Sequence, residues 1–126
     1  MGPEVKVLDA SAVVAYLLGE PGSDIARAAL PAGRMSVVNL CEVLTRIARE
    51  GVAPEVTLKD VEDTGLQLVE TSVAQAVLAA TLRDRPGLSL GDRFCVALAH
   101  ELGAPVLTGD RIWATLSLPA PVELIR

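Results

Sequence analysis

The chain has 126 residues, enough for one domain with its own core and too few for two ordinary ones. Hydrophobic residues make up 51% of it, but Tyr16, Phe94 and Trp113 are its only rings, so the core must be built from Leu, Val, Ile and Ala, and no surface studded with rings for stacking bases can be assembled. A net charge of −5 argues against a general phosphate-binding surface, although nine of the eleven basic residues are arginine, which favours specific forked contacts over a diffuse lysine coat. No apolar run approaches the roughly 20 residues of a membrane span. Met1-Gly2-Pro3-Glu4 lacks the basic region and apolar stretch of a secretory signal, so a soluble, cytoplasmic protein without a membrane partner is expected.

In chain order, Val5–Leu8 is a short β-rich run ending at Asp9, and Ser11–Leu18 follows as a helix closed by Gly19 and Pro21. A second helix fits Ser23–Leu30, stopped by Pro31 and Gly33. Met35–Val38 reads as a strand leading to Asn39. From there Leu40, Val43, Leu44 and Ile47 fall at helical spacing up to Gly51. Thr57–Leu66 and Ser72–Arg83 are helical, with a short strand over Leu66–Thr71 between them. After the break at Arg85-Pro86-Gly87, a helix starts behind Ser89 and carries Cys95, Leu98, Ala99 and Leu102 to Gly103. Pro105–Thr108 is a strand turning at Gly109-Asp110, and Val122–Ile125 is the last one. Short buried strands alternating with helices predict one domain over residues 1–126, a three-layer α/β/α sandwich around a mostly parallel sheet.

The chemistry available is acidic. Cys41 and Cys95 are not spaced as a metal pair and are expected to be reduced, packed thiols. The lone His100 removes histidine-based zinc sites and makes a Ser-His-Asp triad improbable. Asp9 and Asp110 stand just beyond β-runs, where open α/β sheets collect ligands. Glu42 and Asp92 follow Asn39 and Ser89 by three positions, the spacing of a capping box, so local helix capping is a sufficient explanation for each. Glu42 falls opposite the apolar stripe of its helix; Asp92 lies on the same side as Cys95 and Leu98 and needs a partner there. Asp110 also suits an ordinary Gly-Asp turn. Taken together, acids gathered on one edge would repel one another and raise some carboxyl pKa values unless a divalent cation were bound. Mg²⁺ fits such oxygen ligands and needs few of them.

Four segments carry a family likeness: Val7-Leu8-Asp9-Ala10-Ser11; Asn39-Leu40-Cys41-Glu42-Val43; Leu88-Ser89-Leu90-Gly91-Asp92-Arg93; and Val106-Leu107-Thr108-Gly109-Asp110. Over residues 5–125 the sequence resembles the PIN domain, and within it the VapC-type toxins of prokaryotic toxin–antitoxin pairs. The resemblance implies a metal-dependent endoribonuclease in which Asp9, Glu42, Asp92 and Asp110 surround Mg²⁺ or Mn²⁺ and a water activated by the ion attacks the RNA phosphodiester. Ser11 and Thr108 match the hydroxyl positions that support such a site, and Arg93 would touch the scissile phosphate or brace a carboxylate, unless it is an ordinary surface arginine. It further implies a homodimer and a cognate antitoxin. A groove walled by Leu17, Leu18 and Ile25 is the expected place for an apolar antitoxin segment that sends an Arg or Lys to the acids.

An aspartyl-phosphate enzyme would want an acid where Ser11 stands, and a receiver domain would want a late lysine, whereas the only lysines are Lys6 and Lys59. The remaining rival is a non-catalytic protein-binding domain whose acids are caps and turn residues.

Overall fold

The computed structural model describes residues 4–126, so Met1-Gly2-Pro3 of the N-terminal reading lies outside them. Five short strands, β1 (Val7–Leu8), β2 (Arg34–Ser36), β3 (Gln67–Val69), β4 (Val106–Thr108) and β5 (Val122–Leu124), form one sheet in the order β3-β2-β1-β4-β5. All four pairings are parallel. Six helices connect or follow them: α1 (Ala10–Leu18), α2 (Ser23–Ala29), α3 (Val37–Ala48), α4 (Pro54–Asp63), α5 (Val73–Thr81) and α6 (Leu90–Leu102).

β1 and the first two residues of β4 are apolar on both faces. Strand residues alternate sides, so Val7 and Leu8 serve different cores, as do Val106 and Leu107. Leu8, Met35 and Leu107 pack with Val13, Ala26, Val43, Ile47 and Val61 from α1 to α4. Val7 and Val106 pack on the other face with Leu82, Cys95, Val96, Leu98 and Trp113. A sheet buried on both faces between two helical layers is the three-layer sandwich read from the sequence, and it accounts for the apolar residues that β1 and β4 place on both faces. Among the described residues, no helix is long and apolar enough to cross a membrane.

Some boundaries differ from the sequence reading, for identifiable reasons. Val37 and Val38 belong to α3: Ser36 Oγ accepts from the Val38 N–H at 3.2 Å and starts the helix there. A good cap and a buried helix face override the strand preference of β-branched residues. Asn39 is therefore inside the helix and not its cap, and the first turn of α3 holds no acid. The capping box assigned to Glu42 does not exist. The α-helix ends before Pro31 as read, and Leu30–Ala32 adds one 3₁₀ turn up to Gly33, a position proline tolerates near a helical start. Cys95 is buried as expected, but Cys41 is exposed.

Residues Arg111–Thr115 form a 3₁₀ turn that the sequence did not announce, and it buries Trp113 completely. The indole Nε1 finds no partner, so packing alone holds this side chain. Trp113→Ala should lower stability by about 3–5 kcal/mol, read as a urea midpoint by circular dichroism. Trp113→Phe should cost clearly less, because it also removes the unpartnered N–H.

Candidate active site

The chain leaves β1 to build β2 and β3 on one side and then crosses to build β4 and β5 on the other. The switch lies between β1 and β4, and the crevice beyond their carboxyl ends is where a sheet of this kind binds ligands. Asp9 follows β1 immediately; Thr108 ends β4 and Asp110 stands two residues on. Parallel pairing puts all three at one edge.

Asp9 is buried and is held from both sides. Its Oδ1 accepts from Ser11 Oγ at 2.7 Å and from the Ala12 N–H at 3.1 Å, which also caps α1. Its Oδ2 accepts from Thr108 Oγ1 at 2.7 Å. Each hydroxyl is in turn fixed by the turn after β4: Gly109 N–H donates to Ser11 Oγ at 2.8 Å, and Asp110 N–H donates to Thr108 Oγ1 at 3.0 Å. A hydroxyl has one proton, and here both protons point at Asp9. The 3.3 Å approach of the two hydroxyls to each other is then a contact and not a third bond. These donors favour the ionised carboxylate, yet burial outweighs them and, with a smaller contribution from the charge of Asp92, pushes Asp9 up to about 6.

Asp92 forms the capping box read from the sequence: Ser89 N–H donates to Asp92 Oδ2 at 2.9 Å, and the Asp92 N–H donates to Ser89 Oγ at 3.2 Å. Burial nevertheless raises its pKa, and the charge of Asp110 adds to the rise. Asp110 caps the 3₁₀ turn through the Ile112 N–H at 3.2 Å. Glu42, inside α3, has no helix end to hold it. Asn39 does this instead. Its Nδ2 donates both to Glu42 Oε1 at 2.8 Å and to the Gly91 carbonyl at 3.0 Å, so one buried amide joins α3 to the residue before Asp92. Gly91 must lack a side chain here, since an added Cβ would lie 2.5 Å from Glu42 Oε2. Asn39 Oδ1 has no partner. Asn39 is thus a buried brace rather than the expected cap, and its spacing with Val43 and Ile47, on the buried side of α3, is the sequence signal for that role.

The buried Cys95 thiol feels three of these charges. Its pKa is raised well above the usual thiol range, first by burial and then by the charges of Asp9, Asp92 and Glu42. Arg93 does not join the cluster. Its Nη1 donates to the Ala79 carbonyl of α5 at 3.3 Å, because at its phase on α6 the side chain faces α5. Arg93 thus braces two helices and touches no acid. The expected groove wall also divides: Leu17 lines a depression with Tyr16, Asp60, Asp63 and Thr64, whereas Ile25 lines another with Glu4 and Lys6 at the far end of β1. The reversal through Gly19 and Gly22 turns α2 toward that opposite edge.

Among the described residues, none of the four acids forms an ion pair with a lysine or arginine. No three of their carboxylates converge as a complete protein cage for a metal either. The donor set is oxygen throughout, which suits a hard divalent ion held by one or two carboxylates and otherwise by water.

A sequence profile of the PIN domain matches residues 6–117. The chain belongs to the PIN-domain family. Within that family it groups with VapC ribonucleases: ribonuclease VapC42 of Mycobacterium tuberculosis and a VapC ribonuclease of Mycobacterium bovis are each 35% identical over 129 aligned positions, covering 90% of this chain and 98% of the relative. Solved PIN folds agree. The toxin–antitoxin complex of Klebsiella pneumoniae superposes with a TM-score of 0.73 at 17% identity, over 92% of this chain and 98% of that one. VapBC-5 of M. tuberculosis gives 0.61 at 25% identity, over 98% and 99%.

Asp9 makes the ion-free PIN domain sensitive to pH in a definite direction. Its folded pKa lies above the unfolded value of 3.8, so the folded state binds the extra proton and stability falls as pH rises from about 4 to about 6. The loss is on the order of 3 kcal/mol. Asp92 adds a slope of the same sign. Urea unfolding of chelator-treated protein between pH 4 and 7.5 should show this decline, and Asp9→Asn should flatten most of it. An unchanged slope in that variant would contradict burial as the cause.

Proposed function

We propose that this chain is a metal-dependent endoribonuclease, the toxin of a toxin–antitoxin pair, which hydrolyses RNA phosphodiester bonds with Asp9, Glu42, Asp92 and Asp110. The observation that carries this reading is a buried Asp9, raised to about 6, electrostatically coupled to Asp92 and lacking any basic side chain as counter-ion. An arrangement that costs stability is retained where something else supplies the positive charge. Mg²⁺ or Mn²⁺ is the fitting group. When bound, it offsets charge on the phosphate and makes a water more acidic.

The side chains then have separate duties. Ser11 and Thr108 fix the Asp9 carboxylate in one orientation, ready for the ion. Asn39 fixes Glu42 against the start of α6. In Asp92 the cap takes Oδ2 and leaves Oδ1 free, and the raised pKa suits that oxygen to accept a proton from the attacking water. Arg93 has no part in the chemistry.

One observation favours the rival, a protein-binding domain without catalysis: Asp9, Asp92 and Asp110 all cap helical segments. A cap gains nothing from burial, though, and capping alone lowers a carboxyl pKa where Asp9 and Asp92 are raised. The solved neighbours include DNA-bound VapBC of Salmonella typhimurium. That neighbour supports an antitoxin protein as partner, and the VapC resemblance extends the reading to a cytoplasmic homodimer.

Purified protein should cut single-stranded RNA with Mn²⁺ or Mg²⁺ and stop when a chelator is added. Cleavage that persists in excess chelator would exclude the ion. Asp92→Asn should abolish cleavage and leave the melting temperature equal or higher, since the amide oxygen can still cap α6 and one repelling charge is gone. A destabilised variant that still cleaves would make Asp92 a structural cap.

A further inference from the structure

The residue after β5 lies at the same edge of the sheet as the acids, because β5 runs parallel to β4. That residue is Ile125, and Arg126 follows it, two positions past the end of β5. The backbone of Arg126 is fixed on both sides: the Ile125 N–H donates to the Thr108 carbonyl at 3.0 Å, and Arg111 Nη1 donates to the Arg126 carbonyl oxygen at 3.0 Å. Its side chain folds back over Gly109, between Thr108 and Asp110. A Cβ placed on Gly109 would lie 2.9 Å from Arg126 Nη2, 3.0 Å from its Cζ and 3.3 Å from Ser11 Oγ. The guanidinium therefore stands beside the hydroxyl that holds Asp9.

Gly109 does not need to be glycine for its backbone, since it is absent from the residues with positive φ. What its missing side chain provides is room for the guanidinium. Of the five N–H donors of that group, only Nη1 is engaged among the described residues, with the Pro21 carbonyl at 3.0 Å. The nearest carboxylate, Glu20, is 3.9 Å away, too far for a hydrogen bond. The side chain is 36% exposed. Arg93 turns toward α5 and Lys6 to Glu123, while Arg46 pairs with Glu50 and, with Arg49, lines a separate depression on α3 beside Glu42. A chain of net charge −5 must still receive a polyanion at an acidic edge.

The geometry points to Arg126 as the phosphate-binding residue of the substrate path: it takes a backbone phosphate next to the scissile one and sets the register of the RNA over Asp9 and Asp110. This rests on the ribonuclease reading above. The forked guanidinium grips a phosphate through two parallel N–H bonds, and Gly109 is its seat.

The test compares full-length wild type, Arg126→Ala, Arg126→Lys and Gly109→Ala. Each is measured for binding of a fluorescent single-stranded RNA in chelator at several salt concentrations, for cleavage kinetics with Mn²⁺, and for Mn²⁺ affinity without RNA. Arg126→Ala should raise KM several-fold with kcat little changed, and lower the salt slope by about 0.7, one phosphate contact on a single strand. Mn²⁺ affinity should stay the same. Arg126→Lys should recover part of the loss. Gly109→Ala keeps the charge but displaces it, and should behave like Arg126→Ala. Wild-type KM and salt slope in Arg126→Ala would overturn the proposal while leaving the ribonuclease reading intact. A fall in kcat together with weaker Mn²⁺ binding would also overturn it, by making the residue a support of the acids. A wild type that neither binds nor cleaves RNA would overturn both.

Discussion

Two hydroxyl protons, from Ser11 and Thr108, end on the two oxygens of Asp9, and the arrangement of the whole edge follows from them. One hydroxyl comes from the start of α1 and the other from the end of β4, so the bonds tie the first crossover to the last at the switch point of the sheet. Each hydroxyl is itself held by an N–H of the turn after β4. Donor to hydroxyl to carboxylate is a polarised chain, and in a buried setting its members strengthen one another. The turn that presents Asp110 is thereby locked by the same network that orients Asp9.

That network opposes a desolvation cost it does not fully offset. Three donors favour the ionised carboxylate, yet Asp9 still titrates near 6. The fold thus holds a charge in a place where it would be more stable neutral. Stability withheld in this way is common at sites built for ligands, and a bound cation would restore it by mass action. The buried thiol of Cys95 shows how far the negative field reaches into the core: the charges of Asp9, Asp92 and Glu42 all act on it.

Much of this was legible in the sequence, and what was missed has a pattern. Apolar runs ending in Asp9 and in Thr108-Gly109-Asp110 could be placed on one sheet edge because periodicity and parallel connectivity are local signals. The capping box of Ser89 and Asp92 was equally local and was found. Asn39 was misread because asparagine commonly caps helices, and Ser36, three residues earlier, holds that role. Arg93 stayed open between a site role and an ordinary arginine, because neighbouring Asp92 in sequence does not decide which helix its side chain faces. The roles of Gly91 and Gly109 depend on which side chains arrive from elsewhere: Glu42 from α3 and Arg126 from beyond β5. Those are long-range facts, absent from any window of ten residues.

Capping and the proposed ligand binding are compatible duties. A carboxylate at a helix start faces the positive end of the backbone dipole, worth roughly 0.3–1 kcal/mol when exposed. Asp9, Asp92 and Asp110 all sit at such starts, so the cluster carries part of its counter-charge within the backbone and the protein can fold before any ion arrives. Glu42 is the exception, lying in the second turn of α3 with no helix end beside it. Its compensation is the Asn39 amide, which reaches the Gly91 carbonyl with its other proton. By holding both, Asn39 places the acid without a cap alongside the helix start that carries Asp92.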